Sequence, residues 1–361
     1  MERIVPVRSW MLATAALLSA PAALAQEPIR DTLSDASRFP LPASPGRDTL
    51  RIYAVGDINL GRGVTHQYLL RGDTLYPFLA LADTLRAADL LFGNLESPIA
   101  PIGHPFERTG SPVFSAPPVA ADALRATGFD IVSTANNHAW DAGEVGVFET
   151  LTQLDRVGVA HAGTGRTRAA ARAPARLEAR GWRVAVFALT RAFNPAPRNF
   201  WQHPGANHIA YADTSWLYPA IRGVKQRGEA DLVIVSVHAG QEYTDTTDAP
   251  LLALFRGAVD AGADIVLGHH PHVLQRLEWR GGKPIARSLG NFIFMQRPDW
   301  TRLSAVFRFT IAPDGAITAD LLPIRVGFQA MLADGAAADS VYARVGLTAG
   351  AAAAALPPTG P

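Results

Sequence analysis

The feature that most constrains the fold is a unit that recurs along the chain. A helical stretch ends in small residues and an Asp, a short apolar strand follows, and polar residues stand at the strand's carboxyl end. It reads "RAADLLFGNLES" at 86–97, "ATGFDIVSTANNHAWD" at 126–141, "GEADLVIVSVHAGQEY" at 228–243 and "GADIVLGHHPH" at 262–272. "LRIYAVGDINLGR" at 50–62 opens the region in the same way, and "WRVAVFAL" at 182–189 is a further strand without a polar cluster at its end. Short continuous runs of Val, Ile, Leu and Ala belong to strands buried on both faces. Their alternation with helical spacing, as in "DTLYPFLALADTLRAA" and "PLLALFRGAVDAGA", predicts α/β architecture. Beyond 272 the pattern becomes hairpins, with a Gly-Gly turn in "LEWRGGKPIA" and Pro-Asp-Gly in "FTIAPDGAITA".

The flanks read differently. Arg3 and Arg8 precede the apolar stretch "WMLATAALLSAPAALA", which ends in the small-x-small pattern Ala23-Leu24-Ala25. This predicts a signal peptide over 1–25 and an exported protein, periplasmic or extracellular, with no stable membrane span after cleavage. Residues 26–47, rich in Pro, Ser and Asp, read as a disordered linker; 48–330 reads as one domain and 331–361 as a low-complexity tail. The "LPPTG" near the end lacks the apolar span and basic residues of a sorting signal and is taken as chance. A formal net charge of +1 and the lack of a basic stripe argue against a nucleic-acid partner. With no cysteine in 361 residues, a metal site must be built from His, Asp, Glu and Asn.

Functional groups of α/β folds gather at the carboxyl ends of strands. Here those ends offer Gly56-Asp57, Asn94-Leu95-Glu96, Asn136-Asn137-His138, His238 and His270-Pro271-His272. All are oxygen or nitrogen donors suited to Zn²⁺, Mn²⁺ or Fe. Each alone has an ordinary structural role, such as a turn or a hydrogen-bonded core histidine. Their coincidence on five strand ends favours metal. His270 and His272 are expected to share a face of extended chain stiffened by Pro271, with His269 pointing elsewhere, to a supporting position or the surface. Residues 190–218 form a long irregular insertion, enough to cover a strand-end pocket.

Together, "VGDINLGR", "GNLESP", "TANNHAWDAG", "VSVHAGQEY", "GHHPHVLQ" and "SLGNF" resemble the CapA family of bacterial capsule or poly-γ-glutamate synthesis proteins, itself similar in fold to the calcineurin-like metallophosphatases. The resemblance implies a layered α-β-β-α sandwich with a strand-end active site holding one or two divalent ions. By position in those motifs it implies Asp57, Asn59, Asn94, Glu96, Asn137, His238, His270 and His272 as metal ligands. Asn59 stands where the metallophosphatases have a His, and Glu96 where they have a bridging Asp. His138 matches the residue beside the leaving group, Asp141 is a candidate to orient it, and Arg62 a candidate to hold an anionic substrate group. The implied function is a metal-dependent hydrolase of a phosphoester or of the amide of an anionic polymer, with other capsule-synthesis proteins as further partners. The alternative is a non-catalytic binding or assembly factor whose metal site is vestigial or structural.

Overall fold

The structure, a computed structural model, describes residues 46–101, 113–194, 200–296 and 299–348. Its strands are β1 (Leu50–Ile58), β2 (Leu90–Leu95), β3 (Ile131–Ser133), β4 (Ala160–Ala162), β5 (Ala175–Ala179), β6 (Trp182–Thr190) and β7 (Leu232–His238). They continue as β8 (Ile265–His269), β9 (Leu277–Arg280), β10 (Lys283–Ala286), β11 (Asn291–Ile293), β12 (Leu303–Ile311), β13 (Ile317–Arg325) and β14 (Met331–Leu332). The helices are α1 (Arg62–Gln67), α2 (Ala82–Arg86), α3 (Val119–Thr127), α4 (Gly143–Val157), α5 (Arg168–Arg172), α6 (Thr214–Gln226), α7 (Ala249–Asp260) and α8 (Gly335–Val345).

Two mixed sheets result. One runs β14-β13-β12-β1-β2-β3-β4, with β11 also paired to β1; the other runs β5-β6-β7-β8-β10-β9. Strand alternation sorts the side chains into layers. Leu50, Ile52 and Ala54 of β1 meet Val184 and Val186 of β6 and Leu232 and Ile234 of β7 in a core between the sheets. The intervening residues face outward: Tyr53 and Val55 pack under α3 and α4, and Val233, Val235 and Val237 pack under α6 and α7. The order helix, sheet, sheet, helix is the layered α-β-β-α sandwich expected from the sequence.

Register then places the polar strand ends. In the parallel pairs Asp57 of β1 lies opposite Asn94 of β2 and Asn291 of β11, and His238 of β7 lies opposite His269 of β8. The approach of β1 to the 289–290 segment leaves no room for a side chain at Gly56, where a Cβ would stand 1.9 Å from the Gly290 carbonyl oxygen. That closeness lets the Asp57 amide donate to the Gly290 carbonyl at 3.0 Å.

Three expectations change. The 73–88 stretch is not one helix: a 3₁₀ turn at Leu79–Leu81 leads into the short α2. Pro77 has no N–H to give a helix, and the Tyr76 and Pro77 carbonyls are taken instead by the Gln329 side chain and the Ala330 amide. The folded region also runs past 330, because α8 buries Val341 and Val345 in the inter-sheet core. It starts before 48: Arg47 reaches Asp231 at 2.6 Å and lies over the Trp182 ring. The expected signal peptide, most of the linker and the 349–361 end of the tail lie outside the described residues. The described parts of 190–218 include two 3₁₀ turns and the start of α6, and Phe200, Ala206 and Ile209 form a small core with Trp140.

Candidate metal centre

Residues from both sheets converge at the strand carboxyl ends. Asp57 is the hub of one side. Asn94 Nδ2 donates to its Oδ1 at 2.8 Å, and the His270 amide donates to its Oδ2 at 3.2 Å. His272 Nδ1 is 3.2 Å from Asp57 Oδ2, while His269 Nδ1 comes within 3.3 Å of Oδ1 without making a hydrogen bond. Burial by itself would raise this carboxyl; the imidazoles of His269 and His272, with His238 beyond, outweigh it and hold Asp57 well below its ordinary value.

Glu96 is the opposite case. It is 0% exposed, and neither carboxylate oxygen has a hydrogen-bond partner among the described residues. Burial, reinforced by Asp57, Glu242 and Asp141, pushes its carboxyl well above the usual range. Its Oε1 nonetheless faces three imidazoles: His272 Nε2 at 3.7 Å, His238 Nε2 at 3.9 Å and His138 Nε2 at 3.9 Å. Donor atoms of Glu96, His238 and His270 lie within 4.8 Å of one another, as do those of Asp57, Glu96 and His272.

Burial pushes two of the imidazoles, His238 and His270, toward the neutral form. Burial first, then neighbouring His270, depresses His238 well below 6.5; burial and then His272 push His270 down to about 3. His272 Nδ1 is 2.9 Å from Asn291 Oδ1. A proton on Nδ1 donated to that oxygen leaves the Nε2 lone pair directed at Glu96. His238 Nε2 stands 2.8 Å from Asn137 Oδ1 and 3.1 Å from His270 Nδ1. A buried carboxylate that has no hydrogen-bond partner among the described residues, beside several imidazoles and Asp57, is the donor set that a divalent cation takes, so the residues fit a metal.

The two asparagines of the β1–β2 ends are engaged differently. Asn94 Nδ2 bridges Asp57 and His238 Nδ1 (3.1 Å), which makes it an orienting group through that atom; its Oδ1 receives only a 3.4 Å contact from Asn136. Asn59 Oδ1 accepts the Gly61 N–H at 2.9 Å and so is spent on its own turn.

His138 sits at the edge of this cluster. Its Nδ1 is 2.7 Å from Asp141 Oδ2, and its ring stacks on Phe114 with centroids 3.9 Å apart. Asp141 is not the cap of α4, whose N-cap is Ala142. Its Oδ2 also accepts the Phe114 N–H at 2.7 Å. Arg62, at the start of α1, lines an adjoining cavity of about 400 Å³ with its guanidinium 5.9 Å above the Phe114 ring.

The backbone reason for convergence differs from the expected one. His270 and His272 do not lie on extended chain: both have positive φ, 95° and 59°. Of the five non-glycine residues with positive φ among the described residues, Arg62, Tyr243, His270 and His272 all border this site. Left-handed backbone at a non-glycine residue is strained and persists where the surroundings enforce it. His269, the last residue of β8, is 0% exposed and packs beside Phe92.

Several contributors carry no motif signal of their own. Phe114 and Asn194 (which accepts from Asn137 Nδ2 at 3.1 Å) act only through tertiary contact, whereas Asn136, already in the strand-end cluster, donates to the Leu95 carbonyl at 2.8 Å and accepts the His138 N–H at 3.1 Å. Glu242 reads as ordinary loop, yet its carboxylate groups with His270 and His272.

A layered α-β-β-α sandwich with a His- and carboxylate-rich strand-end site defines the class. The family model of bacterial capsule synthesis protein PGA_cap matches residues 51–296, and the chain belongs to that family. Capsule biosynthesis protein CapA of Bacillus anthracis is 31% identical over 285 residues, 77% of this chain and 68% of its own length. The PGA biosynthesis protein CapA of Bacillus subtilis is 30% identical over 281 residues, 77% and 72% of the two chains. A probable polyglutamine synthesis accessory protein of Mycobacterium tuberculosis is 28% identical over 272 residues, 69% and 68%.

Proposed function

We propose that the protein is an exported, divalent-metal-dependent hydrolase that cleaves a phosphoester or amide bond in capsule, poly-γ-glutamate or another cell-envelope polymer. The observation that carries this reading is Glu96, a fully buried carboxylate with no hydrogen-bond partner among the described residues, facing His138, His238 and His272. Leaving such a group unpaired costs several kcal/mol, which a cation would offset. One or two ions of Mn, Zn or Fe would supply a hydroxide from bound water near neutral pH and neutralise charge on the substrate oxygens.

The chain's own groups do the rest. Asp57, Glu96, His238, His270 and His272 would hold the metal, with Asn137 as a further oxygen donor; Asn94 and Asn291 fix the orientation of Asp57, His238 and His272. His138 is held by Asp141 at Nδ1, which leaves Nε2 to donate a proton to the leaving group. A purely structural metal site has no use for that pair. The Arg3 to Ala25 pattern supports export. Among the described residues no helix is long and apolar enough to cross a membrane. The names of the relatives support contact with other proteins of capsule or polyglutamine synthesis.

A second reading, an assembly or binding factor for capsule synthesis, is favoured by Asn59, whose oxygen is taken by Gly61 and adds little to a second metal position. The deciding experiment is metal content of the mature protein and of His270→Ala, with turnover of a phosphodiester chromogen and a γ-glutamyl amide in the same samples. Bound transition metal lost together with turnover in the variant supports the hydrolase. Protein that binds no Mn²⁺ or Zn²⁺ and gains no turnover on their addition sinks it and leaves the assembly factor.

A further inference from the structure

A chain of side-chain hydrogen bonds runs outward from His272 to the wall of the Arg62 cavity. Asn291 Nδ2 lies 3.3 Å from the His272 carbonyl and 3.4 Å from the Thr301 carbonyl. Backbone carbonyls only accept, so these two contacts fix which end of the amide is nitrogen; turned over, Asn291 would set oxygen against oxygen. Its Oδ1 therefore faces His272 Nδ1 at 2.9 Å, and that nitrogen must carry a hydrogen. The remaining bonds inherit this direction. Asn291 Nδ2 donates to Gln296 Oε1 at 2.9 Å, which leaves Gln296 Nε2 to donate to the Tyr243 hydroxyl at 3.2 Å.

Every donor in the chain points away from the cluster, and the last acceptor is a phenol oxygen. A hydroxyl whose oxygen is already accepting must place its own hydrogen elsewhere. Burial first, and then the Glu242 carboxylate, raises the Tyr243 phenol above its ordinary value, so it keeps that hydrogen at neutral pH. The ring is held as well. It stands edge-on to Trp300, and its strained backbone is fixed by the Tyr243 amide donating to the Pro271 carbonyl at 2.9 Å, between the two histidines.

Two destinations are open to the phenol hydrogen: the Glu242 carboxylate one residue back, or the Arg62 cavity. Glu242 faces a separate cavity of about 370 Å³ beside His270, and its carboxylate groups with His270 and His272, where a cation would engage it. Tyr243 and Gln296 both line the Arg62 cavity, in which Arg62 is the only charged residue among those described. The rest of that wall includes Phe114, Phe294 and Phe328, and apolar surroundings strengthen a charge-assisted hydrogen bond. A guanidinium and a phenol hydrogen in one aromatic recess suit an anionic oxygen.

We propose that Tyr243 binds substrate, its hydroxyl donating to an anionic oxygen of the group held at the cluster, and that Asn291 and Gln296 are the positioning residues that keep it a donor. The hydrogen on His272 Nδ1 that turns Nε2 toward the metal site thereby also sets the sense of the substrate contact. The role beside a reactive centre rests on the proposed reading of the cluster; the direction of the hydrogen bonds does not.

The test is calorimetric binding of inorganic phosphate and, separately, of acetate to the full chain with and without Mn²⁺, with Mn²⁺ affinity measured on each variant. The two anions separate a phosphoryl from a carboxylate oxygen. Tyr243→Phe should weaken the anion that binds by about 10- to 100-fold, the loss of one hydrogen bond to a charged group, and leave Mn²⁺ affinity unchanged. Asn291→Asp still accepts from His272 but also accepts from Gln296 Nε2. Gln296 then turns over, offers Oε1 to the phenol and draws its hydrogen inward. The added charge weakens an anion in any case, so the deciding comparison is with the double variant: Tyr243→Phe should cost nothing further in the Asn291→Asp background. Gln296→Met, less buried and uncharged, gives the same cycle should Asn291→Asp not fold; its smaller loss should vanish once Tyr243 is Phe. Wild-type anion affinity in Tyr243→Phe, no binding of either anion, or losses that add in both cycles would each overturn the proposal. Anion binding through Tyr243 in protein that takes no Mn²⁺ and turns nothing over would keep it and remove the hydrolase. Metal-dependent turnover with KM and anion affinity unmoved in Tyr243→Phe would do the reverse.

Discussion

Asp141 Oδ2 lies 2.7 Å from His138 Nδ1 and holds the imidazole against Phe114, with Nε2 turned toward Glu96. Both residues are buried, so the pair keeps this geometry without competition from bulk water. Replacing Asp141 by Asn keeps the shape but removes the negative charge that favours a proton on His138 Nδ1, and lets the amide present its NH₂ there instead. We expect Asp141→Asn to lower turnover about 100-fold while its unfolding midpoint stays within a few degrees of wild type. Steady-state kinetics and thermal unfolding on the same preparation check it, and unchanged turnover would mean that His138 needs no orienting carboxylate.

Glu96→Gln separates the metal role from packing. The variant is expected to lose at least about tenfold in Mn²⁺ or Zn²⁺ affinity, since an amide is a poorer ligand than a carboxylate. In metal-free protein the effect on stability runs the other way. Because the folded-state carboxyl is raised, its contribution is present below an unfolded value near 4.5 and is lost as pH rises through the folded value. Metal-free Glu96→Gln escapes that loss. Chemical denaturation at pH 8 should therefore find it more stable than metal-free wild type; the opposite order would mean that Glu96 is ionised and satisfied without a cation.

The same metal-free variant isolates the histidines. His238 and His270 are depressed, so their contribution is present above 6.5 and is lost as pH falls, for His270 down to about 3. Both should lower stability as the pH falls below 6.5, because the unfolded chain then binds more protons than the folded one. Denaturation midpoints measured from pH 7.5 to 4.5 on Glu96→Gln should fall steadily; a flat profile would show imidazoles that titrate as they do in water.

Gly56→Ala tests the close approach behind the centre. An added methyl meets the Gly290 carbonyl oxygen, which belongs to the backbone and has no rotamer to escape by. The two chains must part where Asp57 and Asn291 are in register. The expected cost is about 3 kcal/mol or more, together with weaker metal binding. A variant of unchanged thermal midpoint would show that β1 and the 289–290 segment are less tightly held.

Much of the architecture was legible in residue order. Runs such as "LVIVSVH" and "DIVLGH" carry both the strand and, by alternation, the layer each side chain enters. Hairpins followed from Gly-Gly and Pro-Asp-Gly, and β9–β10 and β12–β13 stand there. The 73–88 segment misled because its carbonyls are claimed by residues some 250 positions away, and α8 was hidden by a composition that resembles a tail.

The sequence by itself determined the strands, their two faces and the kind of side chain at each strand end, because those depend on periodicities within a few residues. Only the tertiary structure decided which ends meet. Asp57 faces Asn94 and Asn291 through the register of strands far apart in the chain. His270 and His272 turn inward on left-handed backbone that no local preference favours. The buried, unpartnered state of Glu96 and the division of the surrounding space into two cavities arise from the packing of two sheets, and no single segment contains that information.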